Sequence, residues 1–436
     1  MCLEHTRLAQ ALDLLSVPWK RVFQLATDSI LFSPAASKRK ACLELGETTF
    51  RDLKRPKLIP ITTTESDEKV FTVTEEDKRL KAQHKLPIRQ QHEVILSHSD
   101  WRIVDPVECI RNGEGLFIEG IAGVGKSHLA RELIQILREK HTVAVVAKTH
   151  TASLNLGGQT LNHFIFKSIL HGSCKYDWVV VDEVSMISLS EWVQLQKLCF
   201  LGVRWLLLGD FNQFPPISAH IFAGSMLDEG CIERSRLLKI MAQSNLVQLT
   251  QCKRSDVSLF SYYSSLIAGG SRFAMPLEDV LSEARKLFPR KRAMPEFSLV
   301  ISHRMRRSIN KRCNEHLKPA DALELEGEDV FYVYPGQRLI GHLQEKKRGV
   351  LNNAFYIVKT VADEITIKCE ISGKEFKLPH DFVAQYLRLS HALTIAGIQG
   401  ATLGSIRIFT NHPRFSLRHL FVAISRATSY AAVEVI

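Results

Sequence analysis

The chain has 436 residues, of which 45% are apolar and 24% charged, and its formal net charge is +11 at neutral pH. This length is enough for two or three domains, and this balance is typical of a soluble globular protein. No stretch reaches the roughly 18–20 apolar residues of a membrane-spanning helix, and the first ten residues carry an acid and no apolar core, so we expect neither a membrane protein nor a secretory signal.

Cysteine usage and charge indicate a compartment and a class of partner. The nine cysteines are scattered without a C-x-x-C pair, a pattern typical of reduced thiols in a cytoplasmic or nuclear protein. The net positive charge favours a polyanionic partner. Ten lysines and arginines and a single acid, Glu296, lie between Arg285 and Arg312. That run is either a solvated basic face or a track for a phosphate backbone.

The first 95 residues show no evident closed unit. Residues 1–54 contain helix-like and strand-like pieces. Residues 55–95 are rich in Thr, Glu, Lys and Pro and are predicted to be a linker. A short helix inside the linker is predicted to begin at Thr74, which caps it, with Asp77 three residues later.

From about Glu114, short apolar runs alternate with amphipathic stretches. The apolar runs read LFIEG, TVAVVAKT, WVVVDE and RWLLLGD, and SHLARELIQILREK is the first amphipathic stretch. This alternation predicts an α/β fold, a parallel sheet covered by helices.

The pattern changes to β-rich near residues 328–390. Ile365, Ile367, Cys369 and Ile371 alternate with polar residues, and the turn Ser372-Gly373-Lys374 leads into a second run. This pattern predicts a hairpin in a small β module. After residue 390 the α/β character resumes.

The segment GIAGVGKS fits G-x-x-x-x-G-K-[ST], with an apolar run before it and an amphipathic stretch after it. Glycines let such a loop curl so that backbone N–H groups face phosphate oxygens, and the next helix N-terminus favours an anion. The alternative is a glycine-rich turn that matches by chance. We predict that Lys126 reaches the β- and γ-phosphates and that Ser127 binds Mg²⁺. The nucleotide site would comprise Gly120, Ile121, Ala122, Gly123, Val124, Gly125, Lys126 and Ser127.

Two acids follow the apolar strand WVVVDE. Asp182 and Glu183 come directly after Val179–Val181. Buried acids are costly unless a cation compensates them. Asp182 is placed to hold the Mg²⁺ shell, and Glu183 to polarise an attacking water. Alone this ending is weak evidence, but downstream of a phosphate loop it predicts nucleotide hydrolysis.

A third apolar strand ends in LLLGDFNQFPPI, residues 206–217. This segment is similar to the third motif of superfamily 1 helicases, in the branch that groups the RecD and PIF helicases. The resemblance implies that Asp210 and Gln213 couple the γ-phosphate to the DNA site. From the residues alone, a surface loop held by Pro215 and Pro216 is the alternative.

Further segments resemble motifs of the same branch, in the same order. VVAKTHTASLNLGGQTLNHF resembles the segment that contacts single-stranded DNA. LTQCKRSD offers Arg254 as a charge partner for the γ-phosphate. ISHRMRRSIN, which ends at Asn310, resembles the start of the second motor domain, and GVLNNAFYIV resembles the start of the inserted β module. The first of these segments implies nucleic-acid contacts at Thr149, His150, Thr160, Asn162 and His163.

The last two motifs lie near the C-terminus. ALTIAGIQGATL is similar to the motif that couples DNA grip to ATP, which implies roles for Gln399, Gly400 and Thr402 in nucleic-acid contact and for Gln399 also at the nucleotide. HLFVAISRATS matches the final motif, whose Arg426 would be an arginine finger from the second domain.

The resemblance covers about residues 90–436 and implies a fold and an activity. The fold would be two RecA-like P-loop NTPase motor domains, at 96–255 and 256–436, with a small SH3-like β-barrel inserted at about 328–390. The activity would be an ATP- and Mg²⁺-dependent DNA helicase, a monomeric motor that moves 5′ to 3′ on single-stranded DNA and acts at duplex junctions. Such a strand is held by its backbone and by stacking, so we expect little base specificity.

The chain departs from the family pattern in four places. Ala396-Gly397-Ile398 stands where a His-Lys pair is usual, which predicts a weaker DNA grip, and Asn162 stands where His is common. Residues 165–178 leave little room for the wedge domain that splits a duplex, so translocation is a safer inference than strong unwinding. No glutamine motif is evident upstream of the phosphate loop, where Gln90 and Gln91 are the candidates.

The N-terminal segment ATDSILF, Ala26–Phe32, faintly resembles the Thr-Asp-Ser metal motif of family B DNA polymerases. An ordinary strand and turn is the alternative. Two-metal chemistry needs a second carboxylate strand, and none precedes Asp28, so this segment is at most a polymerase-like remnant.

Two other functions stay open. A superfamily 1 motor could move on RNA, which stimulation of the ATPase by matched oligonucleotides distinguishes. A non-enzymatic DNA-binding protein could descend from a helicase, and only the Ala396-Gly397-Ile398 departure supports that reading.

Overall fold

The computed structural model describes residues 22–26, 29–32, 100–170, 174–216, 220–221, 225–226, 230–268, 272–327 and 330–436. The predicted linker with its helix at Thr74, and the candidates Gln90 and Gln91, lie outside these residues. Within residues 1–54 the structure describes one antiparallel strand pair, β1 (Val22–Ala26) and β2 (Ser29–Phe32).

A seven-stranded sheet, in which all pairings are parallel, forms the centre of the first half of the chain. Its strand order is β3-β11-β4-β8-β7-β5-β6. In chain order the strands are β3 (Arg102–Ile103), β4 (Leu116–Glu119), β5 (Val143–Ala147), β6 (Gln159–Thr160), β7 (Trp178–Asp182), β8 (Arg204–Gly209) and β11 (Asn245–Gln248).

Helices cover both faces of this sheet. The strand β7 is apolar from Trp178 to Val181 because its alternate residues face opposite sides of the sheet and are buried on both. Val179 and Val181 pack into one apolar cluster, while Trp178 and Val180 pack into the cluster on the opposite face. We call this sheet with its two clusters the first core. Its helices are α1 (Pro106–Arg111), α2 (Lys126–Arg138), α3 (His150–Asn155), α4 (Leu161–Phe164), α5 (Leu189–Gln196) and α6 (Arg236–Met241).

A second sheet has four strands in the order β20-β12-β21-β22, and its pairings are also parallel. With the apolar cluster packed on it, this sheet forms the second core. The strands are β12 (Phe297–Val300), β20 (Ala392–Thr394), β21 (Ile406–Ile408) and β22 (Val433–Val435). The helices are α7 (Val257–Ser265), α8 (Leu277–Leu287), α9 (His303–Leu317) and α11 (Leu417–Ile424).

An antiparallel module is inserted between β12 and β20. Five strands follow the order β18-β17-β16-β15-β19, and a separate hairpin pairs β13 with β14. Within the described residues no pairing joins the two edges β18 and β19. The elements are β13 (Leu323–Glu326), β14 (Val330–Val333), β15 (Arg338–Gly341), β16 (Phe355–Val361), β17 (Ile365–Cys369), β18 (Glu375–Leu378), α10 (His380–Tyr386) and β19 (Leu387–Leu389).

The predicted hairpin is confirmed as β17 paired with β18, with Ile365 opposite Leu378. Including Ile371 in its alternation was wrong. The N–H of Gly373 donates to the carbonyl of Cys369 at 2.9 Å, so the turn already begins at Cys369. Ile371 therefore lies in the turn and is 42% exposed.

The remaining elements are short. A two-stranded pair joins β9 (His220–Ile221) to β10 (Ser225–Met226), and a π-helix spans Ile165–Leu170. Between that π-helix and β7 the described residues, 174–177, form no helix or strand, so no wedge domain is seen in the described part of this interval. The 3₁₀ turns are Val184–Met186, Cys199–Leu201, Lys346–Arg348, Ala396–Ile398 and Tyr430–Ala432.

The predicted fold class is confirmed: two parallel sheets with helices, and an antiparallel sheet inserted in the second half. The domain boundaries and the barrel closure of the insert stay predictions. Across the described residues, no helix has the length and apolar character needed to span a lipid bilayer.

Candidate functional site

The phosphate loop joins β4 to α2. Gly123 and Gly125 adopt left-handed backbone angles, with φ of 91° and 93°, that other residues rarely adopt. Gly125 is the N-cap of α2, so Lys126 and Ser127 stand in its first turn. The Nζ of Lys126 donates to the carbonyl oxygen of Gly120 at 2.5 Å and to that of Ile121 at 3.1 Å. The ammonium group therefore lies over the loop, where it can exchange these carbonyls for phosphate oxygens.

Two acids lie at the carboxyl end of β7. Asp182 is buried, and its Oδ1 accepts a hydrogen bond of 2.8 Å from the N–H of Glu183. Glu183 has a φ of 57°, a left-handed conformation that costs about 1 kcal/mol or more for a residue with a Cβ. Strain of this kind often marks functional positions, because the surrounding structure must enforce it.

Burial shifts the pKa values of both acids in the same direction. The pKa of Asp182 is raised to about 7, first by burial and then by the neighbouring Glu183 carboxylate, while Lys126 lowers it. Burial also raises the pKa of Glu183, which Lys126 and Arg426 lower. A cation beside these carboxylates would stabilise their charged forms.

Groups from both cores line one cavity of about 240 Å³, which we call the motor cleft. The first core contributes Lys126, Asp182, Glu183 and Gln213 to its walls. The second core contributes Arg426, and the segment between the cores contributes Arg254. The sequence-predicted catalytic residues are thus gathered in one place.

Arg426 follows α11 and is 1% exposed. Its Nε donates to the carbonyl of Val422 at 3.1 Å, and its Nη2 donates to the hydroxyl of Ser425 at 3.1 Å. Burial, and then Arg254, lower the pKa of Arg426 to about 10, while Glu183 opposes this. A buried guanidinium held by neutral acceptors is suited to receive an anion.

Arg254 lies beside Arg426 and bridges the cores. Its Nη1 donates to the carbonyl of Ser425 at 3.2 Å, and its backbone N–H donates to the carbonyl of Gly123 in the phosphate loop at 3.1 Å. Burial lowers the pKa of Arg254, and Glu183 is among the groups that raise it. One residue therefore contacts both the phosphate loop and the end of α11.

The third predicted motif forms a buried polar pair. Asp210 Oδ2 accepts a hydrogen bond of 3.0 Å from the Nε2 of Gln213, while Asp210 Oδ1 accepts from Asn212. Gln213 lines the motor cleft, whereas Asp210 lies behind it. The Oε1 of Gln213 is buried and has no hydrogen-bond partner among the described residues.

Of the motif near the C-terminus, Gly400 lines the motor cleft and Gln399 does not. Gln399 is buried, and its Nε2 has no hydrogen-bond partner within the described part of the chain. In the departure from the family pattern, Ala396 is exposed, whereas Ile398 packs into the second core.

The residues predicted to contact nucleic acid are less concentrated. Thr149 lies two residues past the carboxyl end of β5, and Thr160 is the last residue of β6, the edge strand paired with β5. The hydroxyl of Thr149 accepts from the N–H of Ala152 at 3.2 Å. Asn162, His163 and Thr402 are exposed. The backbone of His150 begins α3, so it lies near Thr149.

Several cleft residues were missed by sequence reasoning. His128 and Arg131 of α2 and Asn155 of α3 line the cavity, as does Lys253 within LTQCKRSD. Lys253 could have been found from its motif. His128, Arg131 and Asn155 carry no signal beyond proximity to the phosphate loop.

The basic run between Arg285 and Arg312 is divided among several environments. Arg285 donates to the hydroxyl of Thr410 at 2.7 Å, and Arg306 is buried at 4% exposure. Arg304 and Arg312 are exposed. The run is therefore not one uniform solvated face, and its role as a phosphate track stays a prediction.

The cleft fits a nucleotide and a divalent cation by its donor set. Mg²⁺ usually binds through one or two carboxylates together with substrate phosphates and water. Asp182 and Ser127 both line the cavity beside the phosphate loop and could supply the protein ligands. Within the described residues, no cluster of three or more His, Cys, Asp or Glu side chains could hold a metal ion alone.

The known proteins to which this chain is similar are ATP-dependent DNA helicases. Residues 109–256 match AAA_30, described as an AAA domain. The chain is 25% identical over 371 residues to the ATP-dependent DNA helicase Pif1 of Bdellovibrio bacteriovorus, a match that covers 72% of this chain and 82% of that helicase. It is 33% identical over 170 residues to the ATP-dependent DNA helicase PIF7 of Trypanosoma brucei brucei, of which the match covers 17%.

Solved structures share the fold. A structure of DNA unwinding at forked duplex DNA by two coordinating Pif1 helicases gives a TM-score of 0.56 at 20% identity, over 76% of this chain and 90% of that one. A Bacteroides Pif1 bound to single-stranded DNA gives 0.55 at 19% identity, over 77% of this chain and 92% of that one. These similarities concern helicases and lend no support to a polymerase-like remnant at Ala26–Phe32, where Thr27 and Asp28 lie outside the described residues. In sequence this chain is similar to Pif1 DNA helicases, and it shares the fold of the solved Pif1 structures.

Proposed function

We propose that this chain is an ATP-dependent DNA helicase that couples hydrolysis in the motor cleft to 5′ to 3′ movement on single-stranded DNA. One observation carries the proposal: the buried guanidinium of Arg426, from the second core, lines the same cavity as Lys126, Asp182 and Glu183 of the first. A site built from two bodies changes its free energy when they move, and this is what a motor requires.

Each cleft residue of the first core has a proposed part in hydrolysis. The loop N–H groups and Lys126 bind the β- and γ-phosphates, with Lys126 released from the carbonyls of Gly120 and Ile121. Ser127 and Asp182 would hold Mg²⁺, which supplies charge neutralisation of the phosphates when bound. Glu183 orients the attacking water and accepts its proton.

The groups that report the γ-phosphate come from the other side of the cleft. Arg254 and Arg426 stabilise the charge that develops on the transferred phosphoryl group. Gln213, held by Asp210 at 3.0 Å, stands beside them and extends an unsatisfied buried oxygen. Loss of the γ-phosphate would weaken the attraction between the cores and let them separate.

Single-stranded DNA and duplex junctions are the proposed partners. The Bacteroides relative was solved with single-stranded DNA, and another Pif1 structure concerns forked duplex DNA. On this chain Thr149, His150, Thr160, Asn162 and His163 are the proposed contacts in the first core, and Gln399, Gly400 and Thr402 in the second. The polarity, and function as a monomer, rest on the family resemblance.

The test is an ATPase assay with and without a single-stranded DNA oligonucleotide. We expect DNA to stimulate hydrolysis. Lys126→Ala and Glu183→Gln should each reduce the stimulated rate by about 10² to 10⁴-fold, since each removes a group that acts on the reacting phosphate or water. Lys140→Ala, on an exposed lysine after α2, is the matched control and should retain the rate. A basal rate indifferent to DNA would contradict the proposal.

Tailed duplexes separate the finer claims. A duplex with a 5′ single-stranded tail should be unwound and one with a 3′ tail should not. The absence of a described wedge between the π-helix and β7 predicts slow unwinding relative to translocation on a single strand. Matched RNA oligonucleotides that stimulate hydrolysis better than DNA would favour an RNA motor instead.

We further propose a reducing compartment, cytoplasm or nucleus. No disulfide joins any of the seven cysteines in the described ranges, and Cys109, Cys174 and Cys369 are buried. The test isolates the protein under conditions that prevent oxidation of thiols, denatures it and titrates it with a thiol reagent. We expect the cysteines to be reduced.

A further inference from the structure

One side chain of the second core reaches the phosphate loop directly. The hydroxyl of Tyr263 donates a hydrogen bond of 2.9 Å to the carbonyl oxygen of Ala122. Tyr263 is fully buried and Ala122 is 4% exposed, so this contact is shielded from water. A buried carbonyl that loses its partner is costly, so the hydroxyl helps to fix the loop conformation.

Space around the loop confirms that the contact is close. A Cβ placed on Gly123 would stand 3.2 Å from the Tyr263 hydroxyl oxygen and 3.2 Å from the Cβ of Arg254. The loop backbone therefore lies against both side chains, and it leaves little room to relax if either one shifts.

The ring of Tyr263 belongs to the second core. It lies on α7, with Phe260 at 5.3 Å and Phe421 of α11 at 5.8 Å between ring centroids, both in edge-to-face geometry. Phe421 lies within α11, and Arg426 lies two residues after the end of that helix. A displacement of α11 that moves Arg426 would therefore also change the packing of Phe421 against the Tyr263 ring.

We infer that Tyr263 is a positioning residue that ties the phosphate loop to the second core, so that the loop holds its phosphate-binding shape best when that core is seated. The inference rests on the proposed function. Arg426 would act on the nucleotide from one side of the cleft, while Tyr263 would act on it through Ala122 from behind the loop. Strand binding that seats the second core would then strengthen nucleotide binding through this hydrogen bond.

Tyr263→Phe tests this, because it removes the hydroxyl and keeps the ring that packs on Phe260 and Phe421. The matched control is Tyr262→Phe on the same helix. The Tyr262 hydroxyl is buried and has no hydrogen-bond partner in the described part of the chain, and its ring packs on Phe288 instead. Thermal unfolding of both variants checks that the fold is retained.

The measurement is the Kd of a fluorescent, non-hydrolysable ATP analogue with and without saturating oligo-dT. In the wild type we expect oligo-dT to tighten binding of the analogue. In Tyr263→Phe this tightening should shrink by about fivefold to tenfold, the factor expected from one buried hydrogen bond. The Tyr262→Phe ratio should match the wild type.

The outcomes separate this inference from the proposed function. A DNA-coupled wild type with a Tyr263→Phe variant of unchanged ratio would overturn the inference alone. Equal weakening with and without oligo-dT would also overturn it, since a merely structural defect acts on both states. A wild type that neither hydrolyses ATP faster on DNA nor binds the analogue more tightly with it would overturn both.

Discussion

The first core brings two carboxylates to the motor cleft, and the second core brings a buried guanidinium. Burial disfavours the charged form of each of these groups. In the first core, burial raises the pKa of Asp182 to about 7 and raises that of Glu183. In the second core, burial and Arg254 lower the pKa of Arg426 to about 10. Both cores therefore bury charged groups at a cost. Glu183 and Arg426 stabilise each other's charged forms across the cleft, while Lys126 stabilises the Asp182 carboxylate within the first core.

The two cores position their cleft residues in different ways. Lys126 begins the helix α2 that follows β4, and Asp182 and Glu183 stand at the carboxyl end of β7, so one parallel sheet positions all three. Arg426 sits at the end of a helix whose position depends on packing against α7. We therefore propose that the first core binds the nucleotide and that the second core responds to the bound nucleotide.

Among the changes considered, removal of the Arg426 side chain should have the largest effect on ATP hydrolysis. Arg426→Ala should reduce the DNA-stimulated kcat by about 10³-fold or more, because an arginine finger stabilises charge that appears only in the transition state. The KM for ATP should change far less. Steady-state ATPase measurements over a range of ATP concentrations report both values.

The control for that variant is Arg414→Ala, an exposed arginine shortly before α11. It should leave both kcat and KM near wild-type values. A rise in KM at unchanged kcat in Arg426→Ala would place Arg426 in ground-state binding and remove the contrast between a binding core and a responding core.

A stability experiment asks whether the second core can be weakened separately. Asn310 is buried in α9; its Nδ2 donates to the carbonyls of Leu389 and Ala392 at 3.2 and 3.1 Å, and its Oδ1 accepts from the N–H of Ala392 at 2.6 Å. Asn310→Ala should lower the free energy of unfolding by about 2–3 kcal/mol, because buried backbone groups lose their partners. Urea unfolding followed by circular dichroism measures this.

Tryptophan fluorescence reports unfolding of the first core separately. The tryptophans of the described residues, at 101, 178, 192 and 205, all lie in that core. The fluorescence midpoint should shift less than the circular dichroism midpoint in Asn310→Ala. Asn411→Ala, on an exposed residue, should shift neither. Identical shifts in both signals would show that the cores unfold as one unit.

The smallest effect concerns a contact between the cores. The ring of His419 in α11 lies 4.9 Å from that of Phe214, which follows Gln213. Burial, then Arg418 and His412, lower the pKa of His419 from 6.5 to about 4. A lowered pKa means that the folded state prefers the neutral imidazole, so this stability is complete above about pH 6.5 and is lost as the pH falls towards 4.

Lowering the pH from 7.5 to 5 should therefore cost about 1 kcal/mol through His419, a figure reduced for the part of the ring that water screens. His419→Asn should remove that share of the pH dependence, as measured by urea unfolding at both pH values. His128→Asn, on an exposed histidine, should not. An unchanged pH dependence in His419→Asn would contradict the assigned pKa shift.

Much of the fold could be predicted because the first sheet is buried on both faces. Strands such as β7 must then be apolar throughout, and the alternation of such runs with amphipathic helices is visible in sequence. The strand order could not be predicted, because β11 comes from a distant part of the chain and lies between β3 and β4. Ile371 was misplaced because alternation alone does not reveal where the backbone turns.

Some residues of the candidate site could be predicted from sequence, and others could not. Lys126, Asp182 and Glu183 could be predicted because each stands next to a strand whose position the pattern fixes. Arg254 and Arg426 required the family resemblance, since nothing in their own segments shows that they face one cavity. Tyr263 had no signal at all: its role depends on the packing of α7 on α11, which local sequence does not encode.

The central claim is that one chain's two cores form a single hydrolysing site. Mixing Lys126→Ala with Arg426→Ala in equal amounts, on saturating single-stranded DNA, tests it directly. The account predicts an ATPase rate no higher than the sum of the two variants assayed separately, because each cleft lacks one of its own groups. Recovery of activity in the mixture would mean that the arginine reaches the nucleotide of another molecule, which contradicts it.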